Sequence, residues 1–344
     1  MPTNTMEPRA NALDGLMDAM ELSMRERGFT PALEIIAQIE AVLPGVIRDN
    51  APKSELPAEY IGDRIEEAIK AAESRLVRRV EIVQHGKATV TIEGNVHCQF
   101  EEARAWVSAK TDNGHPVPVW FYGAAGGGKS HLFRQLAISL GYTDYIIRGL
   151  GPTDTVSSII GYVSQVTGKF MPGIITPELY GNGGFIALDE VCNADPSCLI
   201  GLNELIAGID FRFPNGQLVK KSSNFILVVS DNTKGNGSTG GFIRNKPDLS
   251  SLTRFVSFEM FYDEDLEVAL CGNVSWARYV QSVRKYFAGH ANVPVYITPR
   301  ASINGAALLK AGVKVANVCQ GVLFTHCSAD QKIAALKAVG EYYA

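Results

Sequence analysis

An apolar run, Val117-Pro-Val-Trp-Phe-Tyr122, leads directly into Gly123-Ala-Ala-Gly-Gly-Gly128-Lys129-Ser130 and then into a helical pattern. Nothing else in the chain limits its fold so tightly. Glycine at this density weakens both helix and strand, and serves where a backbone must bend sharply or approach another group closely. The spacing G-x-x-x-x-G-K-S between a strand and a helix reads as a loop that wraps a polyphosphate. Glycines allow several N–H groups to point inward, and the helix start adds the positive end of its dipole. Lys129 then neutralises the β- and γ-phosphates, and Ser130 offers its hydroxyl to Mg²⁺. Gly123, Ala124, Ala125, Gly126, Gly127, Gly128, Lys129, Ser130 and His131 are the residues assigned to the nucleotide.

The rest of the pattern fits a parallel sheet. Strands are predicted at 117–122, 144–148, 184–188 and 224–230, and helices from 128, near 154–166 and at 197–207. Alternation of this kind gives an α/β fold with helices on both faces of the sheet. A hairpin near 80–93, turning at His85-Gly86-Lys87, precedes it. After about 264 the strand signal fades and helices dominate. Helical patterns also fill the start of the chain, at Leu13 to Met24, at Pro31 to Leu43 and around Ile61 to Leu76. The expected organisation is a helical N-terminal region at 1–78, an α/β nucleotide-binding core at 79–263 and a helical lid at 264–344. The N-terminal region serves either packing or the binding of a partner.

Further candidates follow the loop in order. Phe185-Ile-Ala-Leu-Asp189-Glu190 is an apolar strand ending in two acids. Asp189 suits the metal beside Ser130, and Glu190 suits the orientation and deprotonation of an attacking water. Phe225-Ile-Leu-Val-Val-Ser-Asp-Asn232 puts a polar residue at the end of the next strand. Asn232 is the choice for holding the water or the γ-phosphate, with a simple turn asparagine as the other reading. Arg254 precedes an apolar strand and Arg300 opens a helix. Each is either a phosphate contact or an ordinary surface arginine.

Composition narrows the partners. Lys and Arg total 32 against 36 Asp and Glu, a formal charge of −4, which argues against coating nucleic acid through a basic face. Lys220-Lys221 is the chief basic pair. The cysteines (Cys98, Cys192, Cys198, Cys271, Cys319 and Cys327) form no C-x-x-C pair and read as reduced thiols. No apolar run approaches the length of about 18 residues that a membrane span needs, and the start has no signal-peptide pattern. The expectation is a soluble cytoplasmic protein with no membrane partner.

With these elements in order, residues 95–344 resemble the AAA+ ATPases, in the branch that holds MoxR-like, CobS-like and dynein-related domains, and are most similar to those of phage and prophage genomes. GAAGGGKS resembles their Walker A and FIALDE their Walker B. SSNFILVVSDNTKGNG resembles the strand of sensor 1, which implies that role for Asn232. Val-Ser-Asp stands here where Ala-Thr-Ala is usual, so the charge of Asp231 lies beside the γ-phosphate. LSSLTRF implies an arginine finger at Arg254, and ITPRA implies sensor 2 at Arg300. The insert SSIIGYVSQVTGKFMPGIITPEL resembles a pore-facing segment, in which Tyr162, Lys169, Phe170 and Met171 either grip a substrate or pack a hairpin. A second hairpin turns at Phe213-Pro-Asn-Gly216. His97 and Phe100 lie where the fold often contacts the base.

The resemblance implies ATP and Mg²⁺ as cofactors and a homo-oligomeric ring, by family habit a hexamer. It implies remodelling of a protein substrate, with a von Willebrand-type protein among such partners. A motor on nucleic acid, or an ATP-gated subunit of a phage particle or of its assembly, are the alternatives. The location would be cytoplasmic, in the host for a phage-encoded protein, or virion-associated.

Overall fold

The computed structural model describes residues 80–82, 90–92, 95–238, 243–290 and 295–342, all within the unit Arg78–Ala344. The helical region expected at 1–78 and the turn expected at 85–87 lie outside the described residues.

Two short strands, β1 (Val80–Ile82) and β2 (Val90–Ile92), pair antiparallel. Helix α1 (Phe100–Ser108) follows, then β3 (Val119–Tyr122), α2 (Lys129–Ser139) and β4 (Tyr145–Gly149). Next come α3 (Val156–Ile160), the paired β5 (Tyr162–Val163) and β6 (Phe170–Met171), α4 (Pro177–Asn182) and β7 (Gly184–Asp189). Helices α5 (Ser197–Gly201) and α6 (Asn203–Ala207) lead to a hairpin of β8 (Asp210–Arg212) and β9 (Leu218–Lys220), then β10 (Phe225–Asp231). Helix α7 (Leu249–Leu252) and β11 (Val256–Glu259) complete the sheet. Among the described residues five helices follow: α8 (Glu264–Cys271), α9 (Val274–Ala288), α10 (Pro299–Lys310), α11 (Val315–Val322) and α12 (Ala329–Val339).

The central sheet has five strands in the order β11-β3-β10-β7-β4, each pair parallel. The fold is therefore α/β with a parallel sheet, as its sequence pattern predicts. Strands β7 and β10 are buried almost throughout, which is why they read as continuous apolar runs. Their period of two divides the core. Trp120, Ile186, Leu188, Leu227 and Val229 face α3 to α6. Val119, Phe121, Phe185, Ala187, Ile226 and Val228 face α1 and α2. Each large apolar side chain buried this way contributes about 1.5–3 kcal/mol. A separate apolar cluster, with Trp276, Val280, Val283, Phe287 and Phe324, holds the C-terminal helices.

Two expected helices differ. The one near 154–166 stops at Ile160, and a short hairpin takes over. Gly161 has a φ of 86°, and a Cβ there would fall 2.5 Å from Met171 O, so the backbone turns where a helix would have to continue. The helix expected at 197–207 divides at Leu202 into α5 and α6.

Candidate functional site

Because the strands are parallel, the ends of β3, β7 and β10 lie along one edge of the sheet. Tyr122 pairs with Asp231 across β3 and β10, and Leu188 pairs with Val229 across β7 and β10. The residues that follow each strand are thus brought together from distant parts of the chain.

The glycine loop leaves β3 at Gly123, whose φ is 144°. A Cβ at this position would lie 2.0 Å from Met260 O, so no other residue fits. Gly128 ends the loop as the residue before α2, with no side-chain cap on the helix. The N–H groups of the first helical turn are left to an outside acceptor. Lys129 is buried, and its Nζ donates to Gly123 O at 2.8 Å, Ala124 O at 3.2 Å and Asn232 Oδ1 at 2.9 Å. Burial pushes its pKa down, against Asp189, Asp231 and Glu190. His131 is exposed beside this turn, and partial burial with Arg134 nearby lowers its pKa.

Ser130 Oγ donates to Asp189 Oδ2 at 2.5 Å. The other carboxylate oxygen of Asp189 accepts from Ser230 Oγ at 2.5 Å and from Glu190 N at 2.9 Å. Asp189 is therefore held by three donors with its second oxygen against Ser130. Hard oxygen donors in this pairing suit Mg²⁺, which binds through one or two carboxylates while keeping water. Glu190 follows with a φ of 54°, the one positive φ at a non-glycine residue among the described residues. Asn193 Nδ2 donates to Glu190 Oε2 at 2.7 Å.

Asp231 does not present a free charge here. It is fully buried and pairs with Arg244, Nε to Oδ1 at 3.1 Å. Its other oxygen accepts from Thr233 N and Thr233 Oγ1, both at 2.7 Å. Asn232 alone of the two turns toward Lys129.

The arginines behave differently. Arg254 precedes β11, whose Val256 pairs with Val119 and whose Glu259 pairs with Tyr122. It lies in the turn before β11, at the end of the sheet where β3 begins, whereas the glycine loop leaves the other end of β3. Its guanidinium donates to Ser250 O through one nitrogen, and its Nε is buried without a hydrogen-bond partner. Arg300 is exposed on the first turn of α10. That helix begins against the loop, since a Cβ on Gly126 would meet Thr298 Cβ at 3.2 Å. Tyr262, which no spacing in the sequence marks, joins the same region. Its hydroxyl donates to Ala125 O at 2.9 Å, and the Arg284 guanidinium lies 4.6 Å from its ring centre. Burial pushes the phenol up against the opposing charges of Arg284 and Arg300.

His97, Cys98 and Asp263 have potential ligand atoms within 4.8 Å of one another. The imidazole is already committed: Nδ1 accepts from Gln99 N at 3.1 Å, which leaves Nε2 to donate to Phe261 O at 3.1 Å. Burial, then Asp263, pushes the Cys98 thiol up to about 11. The group is a clasp between 97–99 and 259–263, with Gln99 Nε2 also donating to Glu259 O at 2.9 Å. Phe100 is buried in the core, so it does not face a base as the sequence reading suggested.

No family model and no curated protein sequence matches the chain. Solved structures do. A mutant RuvB of Thermotoga maritima is 15% identical with a TM-score of 0.39, covering 70% of this chain and 66% of that one. NtrX of Brucella abortus is 14% identical with a TM-score of 0.38, covering 85% and 64%. Closed-state Hsp104 with ATPγS and FITC-casein is 16% identical with a TM-score of 0.39, covering 69% and 44%. The chain thus spans less than two thirds of the length of each of these proteins.

Proposed function

We propose that the chain is a Mg²⁺-dependent ATPase of the AAA+ kind that works as a homo-oligomeric ring, a hexamer by family habit, and remodels a protein partner. The observation that carries this is the convergence of Lys129, Ser130, Asp189, Glu190 and Asn232 on one edge of the sheet, beside a glycine loop whose first residue cannot bear a side chain. Loop amides and Lys129 would hold the phosphates of ATP. Ser130 and Asp189 would hold the metal, which when bound neutralises phosphate charge. Glu190 would take the proton of the attacking water, and Asn232 would orient that water or the γ-phosphate.

Arg254 supports the ring. It lies at the end of the sheet away from the loop of its own chain, which suits service to a phosphate held by a second copy. Interfaces of that head-to-tail kind close into rings. Arg300, on a helix that begins against the loop, is the reading for a residue that reports nucleotide to the C-terminal helices.

A protein partner is favoured over nucleic acid by the β5–β6 hairpin. Tyr162, Val163, Val166 and Met171 are exposed there, Val166 almost completely at 96%, and such a tip suits a polypeptide better than a phosphate backbone. Of the basic pair, Lys221 is buried and donates to Ile206 O at 2.9 Å, so it offers no charge to DNA. Among the described residues no helix is long and apolar enough to cross a membrane. A cytoplasmic or virion location, a von Willebrand-type partner and the MoxR-like branch remain part of the proposal.

The test is the mass of Glu190→Gln by light scattering, with and without Mg-ATP. A shift to about six subunits, lost on adding Lys129→Ala, supports the ring. A monomer throughout, with hydrolysis intact in the unaltered chain, overturns it.

A further inference from the structure

Between Asp231 and the helix that leads to Arg254 the chain makes a detour, and two of its residues turn back onto the site. Arg244 Nε donates to Asp231 Oδ1 at 3.1 Å, with the arginine side chain 11% exposed and the aspartate fully buried. The second oxygen of Asp231 holds Thr233 N and Oγ1, so this one carboxylate braces the chain on both sides of Asn232. A buried carboxylate keeps such a position only while its cation is present.

Asn245 serves the other half. Its Nδ2 donates to Ala194 O at 2.8 Å, and its backbone N–H donates to Cys192 O at 2.8 Å. These bonds close on the short turn Val191–Asn193, from which Asn193 holds the Glu190 carboxylate. Glu190 itself has left-handed backbone, which a non-glycine residue keeps only where its surroundings hold it. Arg244 and Asn245 therefore support Asn232 and Glu190 through Asp231 and the 191–194 turn.

We infer that Arg244 and Asn245 form a positioning strap for the hydrolytic half of the site, an inference that rests on the ATPase reading above. Arg244 sets Asn232 through Asp231, and Asn245 sets Glu190 through the 191–194 turn. Of the groups that would bind the phosphates, Lys129 feels Arg244 only through space and through Asn232, which accepts from its Nζ, whereas Asn245 bonds on the 191–194 turn. A strap of this kind alters turnover and spares binding, whereas a merely structural contact alters stability, binding and turnover together.

The experiment measures ATP turnover, binding of a fluorescent ATP analogue and thermal melting on the full chain. Asn245→Ala removes the side-chain hydrogen bonds to Ala194 O and, at 3.5 Å, to Asn193 O, and keeps the backbone bond to Cys192. It is expected to lower kcat about tenfold, with Kd within about threefold and melting unchanged. Arg244→Ala is expected to lose more, and Arg244→Lys, which keeps the charge, to recover part of the loss. Turnover of Asn245→Ala and Arg244→Lys equal to that of the unaltered chain overturns the strap, and so does a parallel fall in melting, binding and kcat. Lys129→Ala separates the two levels. If it abolishes nucleotide binding while the strap variants turn over normally, the strap alone fails. If the unaltered chain turns over no ATP, the ATPase reading fails and takes the strap with it, and if Lys129→Ala leaves binding and turnover intact, the placing of the site at this loop fails and takes the strap with it.

Discussion

Lys129 Nζ donates to Asn232 Oδ1 at 2.9 Å across 103 positions of sequence. The cation at the start of α2 and the amide at the end of β10 meet because β3 and β10 are parallel neighbours. The bond makes the two residues separable by experiment. Lys129→Ala is expected to weaken nucleotide binding at least about tenfold, since hydrogen bonds to charged groups are each worth about 1.5–3 kcal/mol. Asn232→Ala should leave binding within a few fold and lower kcat. Titration with a fluorescent nucleotide beside steady-state turnover checks both, and a reversed pattern would exchange their roles.

Glu190→Gln keeps the shape of the side chain and the acceptor for Asn193, and removes the base. Turnover should fall by about 10²–10⁴-fold, the range general-base catalysis contributes, while ATP remains bound. Phosphate release assays with filter-bound nucleotide decide it. Residual turnover near the starting value would mean that another group activates the water.

Arg254→Ala should lower kcat by about 10³-fold or more if it serves as an arginine finger. Its place at the far end of the sheet gives a sharper test. Mixing Arg254→Ala with Glu190→Gln subunits should restore part of the activity, because the intact site of the first meets the intact arginine of the second. Mixtures as inactive as their components would argue that Arg254 does not act between copies.

Glu267 and Arg284 form a bidentate pair in the C-terminal helices, at 2.8 and 2.5 Å, and Ser302 Oγ adds a third bond to Glu267 at 2.5 Å. Glu267 is buried. Arg284→Ala leaves that carboxylate without its cation and should destabilise by about 3–5 kcal/mol. Arg284 also faces the Tyr262 ring, so Arg284→Lys should recover only part of the loss. Urea unfolding measures each.

Lys221 is buried, and burial pushes its pKa down from 10.5 to about 8. Between these values the unfolded chain holds more protons at this residue than the folded one. Its contribution to stability therefore rises with pH across that window. Below about 8 the buried charge is a standing penalty, so Lys221→Met should be more stable than the unaltered chain at pH 7. The advantage should shrink steadily toward pH 10. Buried tyrosines and thiols titrate in the same region with the opposite sign, so the quantity to compare is the difference between the two chains at each pH. A difference independent of pH would rule out the titration.

The glycine loop, the acids ending β7 and the asparagine ending β10 are legible in the sequence because each is local. A tight turn needs glycine, a fully buried parallel strand is a continuous apolar run, and its polar end marks where the sheet meets solvent. The parallel sheet follows from alternation, and from it the gathering of Lys129, Asp189, Glu190 and Asn232. The remaining features come from contacts between segments whose spacing carries no pattern. Asp231 reads as an unexpected charge until Arg244, 13 residues on, returns to neutralise it. Tyr262 lies 137 residues from Ala125 and reaches it only because β11 runs beside β3. The hairpin at 162–171 follows an apolar pattern that also suits a helix, and the crowding around Gly161 excludes the helix. Arg254 looks like any arginine before a strand, and the end of the sheet that it occupies is set only by the register of β11 on β3. Local backbone chemistry writes the cradle, whereas long-range pairing determines what braces it and which end of the sheet each charge occupies.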